Sequence, residues 1–145
     1  MTTNILTAEN ILLQQQVSSK EEAIRLTGKI LVERGYVETD YIEKMLEREK
    51  LTSTYMGNFV AIPHGTDDAK ENVKKSGIVI IQVPDGVDFG GGNIAKLLIG
   101  IAGKGDEHLE ILSNIAIVCS EEENVMKIVN ADSKEEIISL FNGVN

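Results

Sequence analysis

Residues Gly77 to Val83 read Gly-Ile-Val-Ile-Ile-Gln-Val, an apolar run with no polar–apolar alternation. Successive side chains of a strand point to opposite faces, so such a strand has no face to offer to water. Leu97 to Ala102 (Leu-Leu-Ile-Gly-Ile-Ala) has the same character. No apolar run approaches the roughly 20 residues of a membrane helix. The chain must therefore cover a sheet on both sides, and its helical stretches are what can do so.

The first helix opens at Ser19-Lys20-Glu21-Glu22, which fits a capping box with Ser19 as N-cap. Ala23, Ile24, Thr27, Ile30 and Leu31 recur at helical spacing until Gly35 stops the helix. A second helix begins after Thr39 and ends near Lys50. It carries Tyr41, Ile42, Met45 and Leu46 on one face and Glu43, Lys44, Glu47 and Arg48 on the other. Asp106 is a fair N-cap for a third, Glu107 to Cys119, whose apolar residues lie on more than one side and predict deep packing. Helices over Glu122 to Asn130 and Lys134 to Asn142 finish the chain, the last with a capping box at Ser133–Glu136 and Gly143 as its stop. Asn10 to Gln15, with Ile11, Leu12 and Leu13, suits a short strand or entry segment, and Thr66 to Lys75 a polar loop with a short helix. Pro84-Asp85-Gly86 has turn chemistry and predicts a close pair of strands around Pro84. Gly90-Gly91-Gly92 is a loop, and neither GxxxxGK[ST] nor GxGxxG surrounds it.

Strands interleaved with helices predict a three-layer α/β domain occupying residues 1–145. Two consecutive helices and a close strand pair argue against a purely parallel sheet. The expectation is a mixed parallel/antiparallel sheet of about five strands with helices on both faces.

Chemistry is concentrated in Gly57-Asn58-Phe59-Val60-Ala61-Ile62-Pro63-His64-Gly65. Phe59 to Ile62 reads as a buried strand that stops at Pro63, which has no N–H for a ladder. His64 is thus delivered to a strand end, beside a glycine whose backbone can be closely approached. The chain has two histidines, His64 and His108, and one cysteine, Cys119, within an apolar stretch. A zinc site wants three or four ligands, so no metal is expected, and no GxSxG elbow offers a serine nucleophile. Cys119 has no partner for an internal disulfide and suits burial as a small hydrophobe. The net charge of −9 disfavours nucleic acid or an anionic membrane as partner. The N-terminus has no basic region followed by an apolar one, and a cytoplasmic location is expected.

A neutral imidazole is nucleophilic near pH 7 and can carry a phosphoryl group. Such transfer needs donors for the phosphoryl oxygens and little else. His108, in the first turn after Asp106, and Arg48 are candidate donors. The same residues also read as a loop histidine, a half-buried histidine on an apolar helix, and a solvated arginine among Glu47, Glu49 and Lys50. Spacing alone leaves both readings open.

Longer blocks carry a resemblance. They are Lys20-Glu21-Glu22-Ala23-Ile24, Glu47-Arg48-Glu49-Lys50-Leu51-Thr52, Gly57 through Gly65, Pro84-Asp85-Gly86-Val87-Asp88-Phe89-Gly90, Leu98-Ile99-Gly100-Ile101-Ala102 and Glu107-His108-Leu109. In this order and spacing, along essentially the whole chain, the sequence resembles the IIA components (EIIA) of the bacterial sugar phosphotransferase system (PTS), mannitol/fructose type, and most of all the mannitol-specific members. The resemblance implies that His64 is phosphorylated on Nε2 by the phosphohistidine of HPr and passes the group to a cysteine of the EIIB domain of the mannitol EIICB. That domain phosphorylates the sugar alcohol as the membrane IIC domain imports it. By the same resemblance His108 stabilises the transferring phosphoryl group and Arg48 is the active-site arginine. No cofactor and no metal are implied, and a backbone acceptor is expected to hold the other nitrogen of His64. A carrier that shows one site to two partners in turn is expected to be a monomer. Asn58 departs from relatives that carry glutamate there, and is given no catalytic role. The rival readings are a fructose-type or regulatory nitrogen-type EIIA, a non-catalytic binding module of the same fold, and, weakest, a hydrolase.

Overall fold

Burial on both faces is what β4 (Gly77–Asp88) and β5 (Ile94–Ala102) achieve. The computed structural model describes residues 7–66, 71–103 and 107–142, the last stretch with side chains from 113 to 141. Its other elements are β1 (Ile11–Leu12), α1 (Lys20–Glu33), α2 (Tyr41–Leu51), β2 (Tyr55–Gly57), β3 (Val60–Ala61), α3 (Glu107–Cys119), α4 (Glu122–Val129) and α5 (Lys134–Asn142). The strands form one five-stranded sheet in the order β1-β4-β5-β3-β2. Pairs β1/β4 and β3/β5 are parallel, and β4/β5 and β2/β3 are antiparallel. This is the mixed α/β fold expected.

Alternate residues of the central strands feed two cores. Val79, Ile81 and Val83 of β4, with Leu98 and Ala102 of β5, pack with Ala23, Ile24, Leu31, Tyr41 and Met45 of α1 and α2. Ile78, Ile80, Leu97, Ile99 and Ile101 pack with Ile115, Val118, Val125, Ile128 and Ile137 of α3, α4 and α5. Gln82, the one polar residue of the Gly77–Val83 run besides backbone, is fully buried. Its amide donates to the Ile128 and Ala131 carbonyls (2.8 and 3.0 Å), and its oxygen accepts from Gln14 N–H (3.0 Å). Its polar groups are thereby satisfied inside the core.

The helix signals hold with small differences. Ser19 Oγ accepts from Glu22 N–H at 3.1 Å, while the Glu22 carboxylate reaches back to Ser18, one residue beyond the N-cap. Gly35, at φ 79°, closes α1: its N–H bonds to Val32 O and that of Tyr36 to Leu31 O, the paired bonds of a Schellman stop. Gly100 lets α1 sit close on β5, because a Cβ there would lie 2.3 Å from Thr27 Cγ2.

Three expectations are corrected. Pro84-Asp85-Gly86 is no turn between strands; it lies inside β4, where pairing with β5 slips between Gln82 and Val87. A slipped register frees proline from supplying a ladder N–H, and Gly86 takes φ 82° there. The reversal is instead at Gly90-Gly91-Gly92, all at positive φ. The strand before His64 is only Val60–Ala61, since Phe59 is at φ 69°. Finally, the described part of α3 packs on one side: Ile115, Val118 and Cys119 are buried, but Ile117 is 57% exposed. The Asp106 cap, Gly143, residues 67–70 and the side chains of Leu109, Ile111 and Leu112 lie outside the described residues.

Candidate active site around His64

β3 ends three residues before His64, and the backbone between them is tied down on both sides. Ile62 N–H donates to Thr54 O (3.0 Å), and Ile101 N–H donates to Pro63 O (3.2 Å). The half-buried His64 ring has Nδ1 2.7 Å from the Ile62 carbonyl oxygen. A carbonyl only accepts, so Nδ1 carries the proton, and in the neutral ring the lone pair is on Nε2. The backbone acceptor expected for this histidine is thus Ile62. After the histidine, Gly65 N–H donates to Tyr41 Oη (2.8 Å), which itself donates to Ile101 O (2.9 Å). Burial raises the pKa of the Tyr41 phenol above its usual value, against a smaller lowering from the Gly65 bond. It stays a neutral two-way link.

Arg48 sits in the last turn of α2, seven residues after Tyr41; on a 3.6-residue helix that spacing returns it to nearly the side of Tyr41, which corrects the expectation that the two lie on opposite faces. Its Nη1 donates to Thr52 O at 2.6 Å. That bond uses one of the five guanidinium donors. Tyr55 pairs with Ala61 across β2/β3 and Ile62 N–H donates to Thr54 O, so the chain entering β2 runs beside the chain that leaves β3 toward His64. The guanidinium is therefore anchored to the segment alongside the histidine. Of the charged neighbours of Arg48, Glu47 and Lys50 are exposed and Glu49 is buried, 6% exposed. Its Oε1 accepts from the N–H and Oγ1 of Thr54 (3.0 and 2.6 Å), and Oε2 lies 3.7 Å from Lys20 Nζ.

His108 is the second residue of α3, which follows β5. Because β3 and β5 run parallel side by side, the chain leaves both at the same sheet edge. His64 and the first turn of α3 therefore emerge from neighbouring strand ends. The His108 side chain lies outside the described residues.

Asn58 occupies φ 52° and donates its amide to Cys119 O and Ser120 O (3.0 and 3.3 Å), capping the end of α3. Glutamate, having no amide, could not make these bonds. Cys119 is buried, and burial pushes its thiol pKa up to about 12. Among the described residues no three His, Cys, Asp or Glu side chains group as a metal site, and no helix is long and apolar enough to cross a membrane. Tyr41, Glu49 and Thr54 were not singled out from the sequence. The available signal was a carboxylate at 49 continuing the buried helical spacing of 41 and 45.

A strand-end imidazole with a set tautomer is suited to group transfer, and comparison with known proteins agrees with that class. Residues 4–144 match the family described as the phosphoenolpyruvate-dependent sugar phosphotransferase system, EIIA 2. The chain is 68% identical over 145 residues to the mannitol-specific phosphotransferase enzyme IIA component of Geobacillus stearothermophilus, covering 100% of both. It is 61% identical to that of Bacillus subtilis, over 97% of this chain and 99% of the relative. Its structure is similar, with a TM-score of 0.88 and 41% identity, to a chain of the complex of enzyme IIAMTL and phosphorylated enzyme IIBMTL from Escherichia coli, covering 95% of this chain and 97% of that one. This chain belongs to the EIIA 2 family of the phosphoenolpyruvate-dependent sugar phosphotransferase system.

Proposed function

We propose that this protein is a cytoplasmic phosphoryl carrier for mannitol uptake, phosphorylated on His64 by phospho-HPr and discharged to a cysteine of the mannitol EIIB. The observation that carries this reading is the 2.7 Å contact of His64 Nδ1 with Ile62 O, which assigns the lone pair to Nε2. That pair attacks the phosphorus of the donor phosphohistidine. A new N–P bond forms as the old one breaks, and the donor imidazole leaves with its electron pair. The Ile62 carbonyl steadies the positive charge building on the His64 ring, and Arg48 and His108 share the negative charge of the transferring group. The same steps toward a thiolate discharge the carrier, so the chemistry needs neither cofactor nor metal. Mannitol as the sugar is supported by the names of the relatives at 68% and 61% identity. A monomer suits a site used by two partners in turn.

The test is a relay from phosphoenolpyruvate through enzyme I and HPr, followed by a chase with purified EIIB domains. Rapid discharge to mannitol EIIB and slow discharge to fructose EIIB is the expected result. Preference for the fructose domain, or no discharge to either, would replace this reading with a fructose-type or a regulatory one. His108→Ala is expected to slow transfer about 10²–10³-fold, as for loss of one charge-stabilising donor. An unchanged rate would remove His108 from the mechanism.

A further inference from the structure

Two buried side chains of α2, Tyr41 and Glu49, carry polar groups that the packing of the core does not require. Phenylalanine would fill the space of Tyr41 without an hydroxyl, and a buried carboxylate such as Glu49 is costly to keep. We propose that Tyr41 and Glu49 are positioning residues for His64, fixing the backbone on both sides of it and so holding Nδ1 on the Ile62 carbonyl. This rests on His64 being the nucleophile.

Upstream of the histidine, the connection runs through hydrogen bonds alone. Glu49 Oε1 takes both the N–H and the hydroxyl of Thr54, the Thr54 carbonyl takes Ile62 N–H, and the Ile62 carbonyl takes His64 Nδ1–H. Lys20 Nζ lies 3.7 Å from Oε2 and also donates to Phe89 O. Downstream, Tyr41 Oη holds Gly65 N–H and at the same time Ile101 O, while Ile101 N–H holds Pro63 O. Ile62, Pro63 and Gly65 are each anchored, and the anchors are 4% and 6% exposed. Since Arg48 lies on the same helix between them, α2 sets imidazole and guanidinium as a single body. Misplacement of a reacting group by about 1 Å can cost ~10²-fold in rate, so backbone anchors of this kind bear on transfer and not only on stability.

The experiment measures the tautomer of the His64 ring by ¹⁵N NMR on the unphosphorylated full chain, beside single-turnover phosphorylation by phospho-HPr. Tyr41→Phe removes one oxygen and is expected to keep a cooperative thermal transition. It should shift part of the ring population to the Nε2–H tautomer and slow phosphorylation about tenfold to a hundredfold. Glu49→Gln, which keeps an acceptor for Thr54, should retain more of both than Glu49→Ala. Should Glu49→Ala fail to fold, Tyr41→Phe and Glu49→Gln decide. A wild-type tautomer ratio in Tyr41→Phe overturns the proposal, whether the rate is unchanged or lowered, because a purely structural residue leaves the tautomer alone. A wild-type protein that accepts no phosphoryl group would overturn the carrier reading instead. The tautomer measurement needs no phosphate and still decides the positioning role.

Discussion

Cys119 and His64 are both nitrogen- or sulfur-based nucleophile candidates by type, and their surroundings send them opposite ways. The thiol, 3% exposed and with its pKa pushed up to about 12, is kept protonated at neutral pH. The folded protein should leave Cys119 unlabelled by iodoacetamide at pH 8 for as long as it stays folded, and label fully in denaturant. Native-state labelling at the rate of a small thiol would show that the packing around α3 is looser than described. The sequence made this burial legible, because Cys119 closes an apolar stretch with no second cysteine. It did not make the roles of Tyr41 and Glu49 legible. A tyrosine on an apolar helix face reads as packing, and what its hydroxyl reaches, Gly65 and Ile101, depends on contacts 24 and 60 residues away. Asn58 has the same character: its partners lie 61 and 62 residues on.

Helices were legible as elements because their signals are local. Ser19, Gly35 and the spacing of Ala23, Ile24 and Leu31 specify α1 within its own length. The course of β4 through Pro84 was not, since the Pro-Asp-Gly pattern fits a turn and a bulge equally. Only pairing with β5 decides that the strand continues. Close packing of α1 on β5 at Gly100 also comes from tertiary structure. A methyl group there would meet Thr27 Cγ2 and Val79 Cγ2 at 2.3 and 2.9 Å. Gly100→Ala should therefore destabilise by about 1–3 kcal/mol, the usual range for overpacking a core. Urea unfolding with an unchanged slope would measure it. A midpoint equal to wild type would mean that α1 can draw back from β5 without cost.

The whole molecule is a sheet with a core on each face, and two groups in those cores give its stability a pH dependence. Cys119 and Tyr41 both have folded pKa values raised by burial. For such groups the unfolded chain loses its proton first, so their contribution is complete below the unfolded pKa and is lost as pH rises through the folded one. With the thiol moving from its ordinary 9.0 to about 12, stability should fall across that interval. Thermal melts at pH 8 and pH 11 should differ accordingly, with Cys119→Ala flattening part of the slope; parallel curves for the two proteins would exclude the thiol as a source. Strands buried on both faces foretold this architecture, whereas bringing the His64 segment and the start of α3 to one sheet edge required the parallel pairing of β3 with β5. The most direct measurement of what that edge does is the intact mass of the protein after incubation with phosphoenolpyruvate, enzyme I and HPr. The expected result is one added phosphate, stable at neutral pH, lost in acid and absent from His64→Ala. Equal phosphorylation of wild type and His64→Ala, or an acid-stable adduct, would contradict it.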